Sequence, residues 1–309
     1  MQQPVVQLPF RGIIPPVITP LLSQHELDLA GLERLIEHLI SGGVHGLFIL
    51  GTTGEGPGLS YRLRYELVQQ VCDQVDNRLP ILVGITDTSS EDSIKLAEWA
   101  ETLGADAVVA APPYYFKPDQ RELQRYFEYL ADRIPLPLFL YNMPSHTKVN
   151  IEAETVVKLS EHKNFIGLKD SSGDLIYFQK VLQLMEGKPE FFLLTGPEEI
   201  LVKAILSGGH GGVPGGANIF PALYVQMYNA AKKRDFEKMN ELQSITMRIR
   251  LRLYTIGNSP GSYLQGVKSA LSILGICNDK LALPYQSHSA EQKKKVMQLL
   301  NELNEIIST

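Results

Sequence analysis

Phe165-Ile166-Gly167-Leu168-Lys169-Asp170, followed at once by Ser171-Ser172-Gly173, reads as a short buried strand that ends in a turn. The run is apolar until it reaches Lys169. Burying an ammonium there is costly, and desolvation disfavours its charged form. A neutral amine is a nucleophile toward carbonyls, the chemistry of Schiff-base lysines. The same residue could equally snorkel from the strand end or pair with Asp170.

Outward from this strand, short apolar runs alternate with amphipathic segments. The strands are expected at 12–20, 46–50, 81–85, 107–113, 138–142, 165–170, 191–196 and 211–216. Between them lie helical patterns. Leu29, Leu32, Ile36, Leu39 and Ile40 form one stripe before Gly42; 65–75 is a second. Ile94, Ala97, Ala100 and Leu103 make a third, opened by Ser90 and closed by Gly104. Residues 123–134, 153–159, 175–185, 198–206 and 222–231 supply the others.

Strand then helix, eight times at a repeat of roughly 25–35 residues, predicts an α/β fold, a closed (β/α)8 TIM barrel. An open doubly wound sheet is the competitor, but no GxGxxG turn follows the first strand. The eighth strand has the weakest signal, because 210–216 is mostly glycine. Past Arg234 the strand pattern stops, and 236–254, 263–274 and 290–307 read as helices. The expected organisation is a barrel carrying the active site over 1–234 and a C-terminal helical appendage over 235–309.

The 309 residues suffice for a large core. A net charge of -5 without a long basic run argues against nucleic acid or an anionic membrane as partner. The first eleven residues have neither a basic nor an apolar leader region, and no run approaches a membrane span. Cys72 and Cys277 stand alone, outside CxxC or zinc spacing, so reduced thiols and a cytoplasmic location are expected.

In a barrel of this kind the chemistry sits at the C-terminal strand ends. After the second strand comes Gly51-Thr52-Thr53-Gly54-Glu55-Gly56. It is either a nest for a carboxylate or phosphate, or a tight turn with polar filler. The fourth ends in Pro112-Pro113-Tyr114-Tyr115 and the fifth in Tyr141-Asn142-Met143-Pro144. A tyrosine there either packs the rim or shuttles protons beside an imine. Zinc spacing, a Gly-x-Ser-x-Gly elbow and a P-loop are all missing.

Gly51-Thr52-Thr53-Gly54-Glu55, Tyr141-Asn142-x-Pro144, Gly167-Leu168-Lys169-Asp170 and Gly208-Gly209-His210-Gly211, in this order, resemble the dihydrodipicolinate synthase/N-acetylneuraminate lyase family. The resemblance covers nearly the whole chain. It implies class I aldolase chemistry through a lysine–pyruvate imine, without metal or organic cofactor, and usually a homotetramer. By motif, Lys169 would form the imine and Tyr141 would move the proton. Gly51, Thr52 and Thr53 would hold the pyruvate carboxylate, with Thr52 joining a hydroxyl relay. Tyr115 would complete that relay across a dimer interface, and the Val213 carbonyl would line the pyruvate pocket.

Two departures bear on the substrate. Synthases typically carry Ser-Arg-Thr after the tyrosine motif, where this chain has Ser145-His146-Thr147. A neutral His146 is a poor substitute for a guanidinium that grips the second substrate's carboxylate. The segment Gly56-Pro57-Gly58-Leu59-Ser60-Tyr61-Arg62-Leu63-Arg64 also lacks the Ser-Ala and paired histidines of lysine-regulated synthases, and Thr88 and Asp92 replace Asn and Glu. Lysine inhibition is therefore not expected. The reading favoured by these departures is an aldolase for 2-keto-3-deoxy sugar acids, yielding pyruvate and an aldehyde. The second is the synthase itself, joining pyruvate to aspartate semialdehyde. A third, of another class, is a non-catalytic pyruvate sensor or scaffold.

Overall fold

A computed structural model describes residues 10–308. The expectation about a leader falls largely on residues 1–9, outside the described residues. Eight parallel strands form the centre: β1 (Gly12–Ile13), β2 (Leu47–Ile49), β3 (Ile81–Gly84), β4 (Ala107–Ala110), β5 (Leu138–Asn142), β6 (Phe165–Asp170), β7 (Phe192–Thr195) and β8 (Gly211–Gly212). From β2 to β8 each pairs with the next in sequence, and β8 pairs with β1. The ring closes between β1 and β2. His45 N donates to Ile13 O at 2.8 Å, Phe48 N to Pro15 O at 3.0 Å and Val17 N to Phe48 O at 2.8 Å. The fold is a (β/α)8 barrel with added C-terminal helices.

One main helix follows each strand: α1 (Leu29–Ser41), α2 (Tyr61–Val75), α3 (Ser90–Thr102), α4 (Gln120–Ala131), α5 (Ala153–Leu159), α6 (Leu175–Leu184), α7 (Leu201–Leu206) and α8 (Pro221–Lys233), with a one-turn helix, Pro144–Thr147, between β5 and α5. Three more, α9 (Phe236–Arg248), α10 (Ser262–Ile273) and α11 (Ala290–Ser308), complete the chain. The α3 cap is Ser89 rather than Ser90; its side chain accepts from Asp92 N at 3.2 Å. A Ser-Ser pair offers two hydroxyls, and only backbone geometry chooses between them. A small antiparallel hairpin, Leu21–Ser23 with Glu26–Leu27, was not legible in the sequence pattern.

The strands alternate between two cores. Leu47, Ile49, Val83, Val108, Leu138 and Leu140 face the helices. Phe48, Leu82, Val109, Phe139, Tyr141 and Leu194 fill the barrel. The glycines of β8 answer a close approach: a Cβ on Gly211 would lie 2.0 Å from Gly12 O. That is why the eighth strand looked so weak as a hydrophobic pattern.

One irregularity re-aims a side chain. Leu138 pairs with Phe165, but Phe139 pairs with Gly167, so Ile166 is an extra residue in β6. Phe165 faces the helices. Simple alternation would turn Gly167 and Lys169 the same way. The bulge reverses the count, and Lys169 comes into register with inward-facing Tyr141 and Leu194. Gly167 is needed at the crossover, since a Cβ there would stand 2.2 Å from the Phe139 ring.

Candidate active site

Lys169 is 5% exposed, which rules out the snorkelling alternative. Its Nζ lies 4.5 Å from the Phe48 ring centre and 3.9 Å from that of Tyr141. Burial lowers its pKa below the ordinary 10.5, while Tyr141 acts in the opposite direction. Nor does it pair with Asp170. That carboxylate accepts from Asn142 Nδ2 at 2.9 Å, from Ser172 N at 3.1 Å and from Ser172 Oγ at 3.0 Å. The two neighbours point to opposite faces of β6, as strand alternation requires.

Tyr141 reaches from β5 to the turn after β2, where its hydroxyl lies 3.1 Å from Thr52 Oγ1. Leu50 and Glu55 hold positive φ, 57° and 56°, and so bend the turn sharply. A Cβ on Gly56 would meet Leu50 O at 2.2 Å, so only glycine closes it. The amides of Thr52 and Thr53 find no acceptor among the described residues, and both residues line the cleft described below. Thr53 is buried, its Oγ1 lying 3.0 Å from Tyr263 OH.

The Glu55 carboxylate is engaged by the C-terminal region. It forms a buried ion pair with Lys268 of α10, and its Oε2 accepts from Ala282 N at 2.7 Å. Glu55 thus holds the turn, and its partner lies in the C-terminal helices, beyond the reach of sequence spacing.

A cleft of about 300 Å³ opens at the C-terminal strand ends. Lys169, Tyr141, Thr52, Thr53, Val213 and His146 all line it. A neighbouring lobe of about 450 Å³ shares Thr52, Tyr141 and His146 and adds Gly51, Tyr114 and Thr86. Seven of the eight residues singled out in the sequence therefore converge on one mouth. Tyr115 does not. It is 78% exposed and stacks edge-on against Phe116, with ring centres 5.1 Å apart. The loop after β4 carries Tyr114 to the lobe and leaves Tyr115 on the outer surface of the chain.

Sequence reasoning missed the far wall. Arg250, Tyr254, Pro260, Tyr263 and Tyr285 of the C-terminal region line the cleft. That region is thus a structural part of the site and more than an appendage. Beside it sits Glu198, 4% exposed, accepting from Tyr254 OH at 2.9 Å and Gly216 N at 2.8 Å. Burial raises its pKa. No motif spacing marks these residues, since they approach only when α9 and α10 fold back over the barrel mouth. His210 is structural: its Nδ1 accepts from Leu193 N at 3.0 Å, and burial pushes its pKa down to about 4.

A closed parallel barrel with a desolvated lysine inside its mouth defines the chain as a (β/α)8-barrel protein with the makings of amine nucleophilic catalysis. The profile of the dihydrodipicolinate synthetase family matches residues 9–303, and the chain belongs to that family. It is accordingly an enzyme of the carbon–carbon lyase and synthase kind. The 4-hydroxy-tetrahydrodipicolinate synthase of Methanocaldococcus jannaschii is 35% identical over 95% of this chain and 99% of its own. That of Geobacter metallireducens is 32% identical over 95% and 98%. Among solved structures, a dihydrodipicolinate synthase from Bacteroides thetaiotaomicron is 51% identical, with a TM-score of 0.92 over 98% of this chain and 100% of that one. A prophage protein of the same family from E. coli K12, solved in complex with pyruvate, is 30% identical with a TM-score of 0.90, covering 96% and 99%. Among the described residues no helix is long and apolar enough to cross a membrane.

Proposed function

We propose that the chain is a 4-hydroxy-tetrahydrodipicolinate synthase, condensing pyruvate with aspartate semialdehyde through an imine on Lys169. The observation that carries the chemistry is the buried Lys169 amine packed on Phe48 and Tyr141, one hydroxyl contact from Thr52. The names of the curated relatives support the synthase over the sugar-acid aldolase favoured by the sequence departures.

The neutral Lys169 amine attacks C2 of pyruvate, and the carbonyl oxygen leaves as water. The unpartnered Thr52 and Thr53 amides, beside Gly51, are suited to the pyruvate carboxylate. The Val213 carbonyl lines the pocket behind it. Loss of a C3 proton gives an enamine, whose C3 bonds to the aldehyde carbon of the semialdehyde. Tyr141 is the proton carrier to the new alkoxide, with Thr52 as its relay partner. The semialdehyde's own amine then adds to the imine carbon and Lys169 departs, closing a ring with a 4-hydroxyl. Pyruvate and semialdehyde give the ring and one water. In a homotetramer, Tyr115 of one chain would extend the relay of its neighbour.

One observation favours the sugar-acid reading: His146 stands where an arginine is typical. Borohydride reduction with pyruvate, followed by mass mapping, tests the imine. A pyruvyl adduct on Lys169 is expected, and a folded protein without one would discard both readings. Turnover of aspartate semialdehyde against a panel of 2-keto-3-deoxy sugar acids then separates them.

A further inference from the structure

The carboxylate of the second substrate needs a cation once Lys169 is committed to the imine. His146 does not supply it. Desolvation lowers its pKa below 6.5, and Lys148 lowers it further, so the ring is neutral at neutral pH. Among the described residues lining either lobe, the only other Lys or Arg is Arg250.

Arg250 lies on the π-helical turn Ile249–Leu253, between α9 and α10. Its Nε is 3.2 Å from Glu199 Oε1, on the short turn that follows β7. The Glu199 carbonyl is itself held by Gln243 Nε2 at 3.1 Å. A guanidinium has two donor edges. Engaging Nε fixes the plane of the group and leaves the Nη1–Nη2 edge without a protein acceptor among the described residues. That edge matches a carboxylate in bidentate fashion. The side chain is about half exposed (47%), on the cleft wall rather than sealed in the core. Glu199 offsets part of the charge while the site is empty, so the group is oriented without being quenched.

We propose that Arg250 grips the carboxylate of the second substrate, serving from the C-terminal wall as the guanidinium that position 146 lacks. This rests on the synthase reading above and identifies the specificity residue for it. Arg250 takes no part in imine formation, so the two can be tested apart.

The test compares the parent, Arg250→Gln and Arg250→Lys. Arg250→Gln should raise KM for aspartate semialdehyde roughly 10- to 100-fold, the loss expected for a charged hydrogen-bond pair. KM for pyruvate and borohydride trapping should stay within twofold. Arg250→Lys should fall between, keeping charge but losing the fork. Toward an uncharged aldehyde, parent and Arg250→Gln should be equal. Unchanged semialdehyde KM in Arg250→Gln overturns the anchor, as does an equal loss toward both aldehydes. If the parent traps pyruvate but does not turn over semialdehyde, the synthase reading fails. The anchor is then read from binding of L-homoserine, the unreactive alcohol analogue, to the borohydride-reduced pyruvyl enzyme. Binding by the parent and not by Arg250→Gln supports it; equal binding, or none by the parent, overturns it.

Discussion

Tyr141 and Lys169 are register partners on adjacent parallel strands, and the lysine amine stands 3.9 Å from the centre of the tyrosine ring. The pairing exists because the β6 bulge at Ile166 turns Lys169 inward. It brings an amine of lowered pKa against a phenol whose hydroxyl is 3.1 Å from Thr52 Oγ1.

Lys169→Met should abolish the borohydride adduct and turnover while the barrel folds. It should also stabilise the protein by about 1–2 kcal/mol at neutral pH, because an apolar side chain replaces a desolvated amine. The gain has a definite pH dependence. With the folded pKa below the unfolded 10.5, the unfolded state binds more protons between those values. Parent stability therefore rises with pH through that window, and the gap to Lys169→Met narrows. Denaturant melts of both proteins across alkaline pH check the sign. A variant less stable than its parent would contradict the account of burial.

The same lowered pKa governs the rate. kcat/KM for pyruvate should climb with pH as the amine loses its proton and level off at a midpoint below 10.5. A pH profile of initial rates measures it. A midpoint at or above 10.5 would mean the amine is not desolvated.

Tyr141→Phe keeps the ring that packs on Lys169 and removes the hydroxyl 3.1 Å from Thr52. We expect kcat to fall about 10²- to 10⁴-fold with KM for pyruvate within a few fold. Steady-state kinetics reads both. A loss confined to KM would make the hydroxyl a binding group only.

The pair between Glu55 and Lys268 ties the Thr52–Thr53 turn to α10, with both side chains almost fully buried. Lys268→Met should cost about 3–5 kcal/mol by stranding a buried carboxylate. The double variant with Glu55→Gln should recover part of that loss. Thermal melts of the two single variants and the double decide the coupling.

L-lysine at millimolar concentration should leave activity unchanged. Arg64 and Asp87 form a buried pair at 2.7 Å, and Tyr61 OH joins the same carboxylate at 3.1 Å. The guanidinium also sits over the Tyr61 ring, 4.8 Å from its centre. An incoming ammonium would meet Arg64 in place of the histidines seen in lysine-regulated synthases. Initial rates with and without lysine settle it.

The sequence by itself determined the barrel. Eight apolar runs at regular intervals have few solutions other than a closed parallel ring, because each run must bury both of its faces. It also determined the strand-end chemistry, since Lys169, Tyr141, Thr52 and Thr53 sit within a residue or a turn of their strands, and local pattern places them. Only the tertiary structure decided which way Lys169 faces. A bulge inserts one residue, and a period-2 pattern cannot reveal an extra residue inside an apolar run. Tertiary structure likewise decided the far wall of the cleft. Arg250, Tyr254 and Tyr263 reach it by long-range packing of α9 and α10 over the mouth, and Tyr263 meets Thr53 across 210 positions of chain. Contacts at that separation leave no periodicity in the sequence to read.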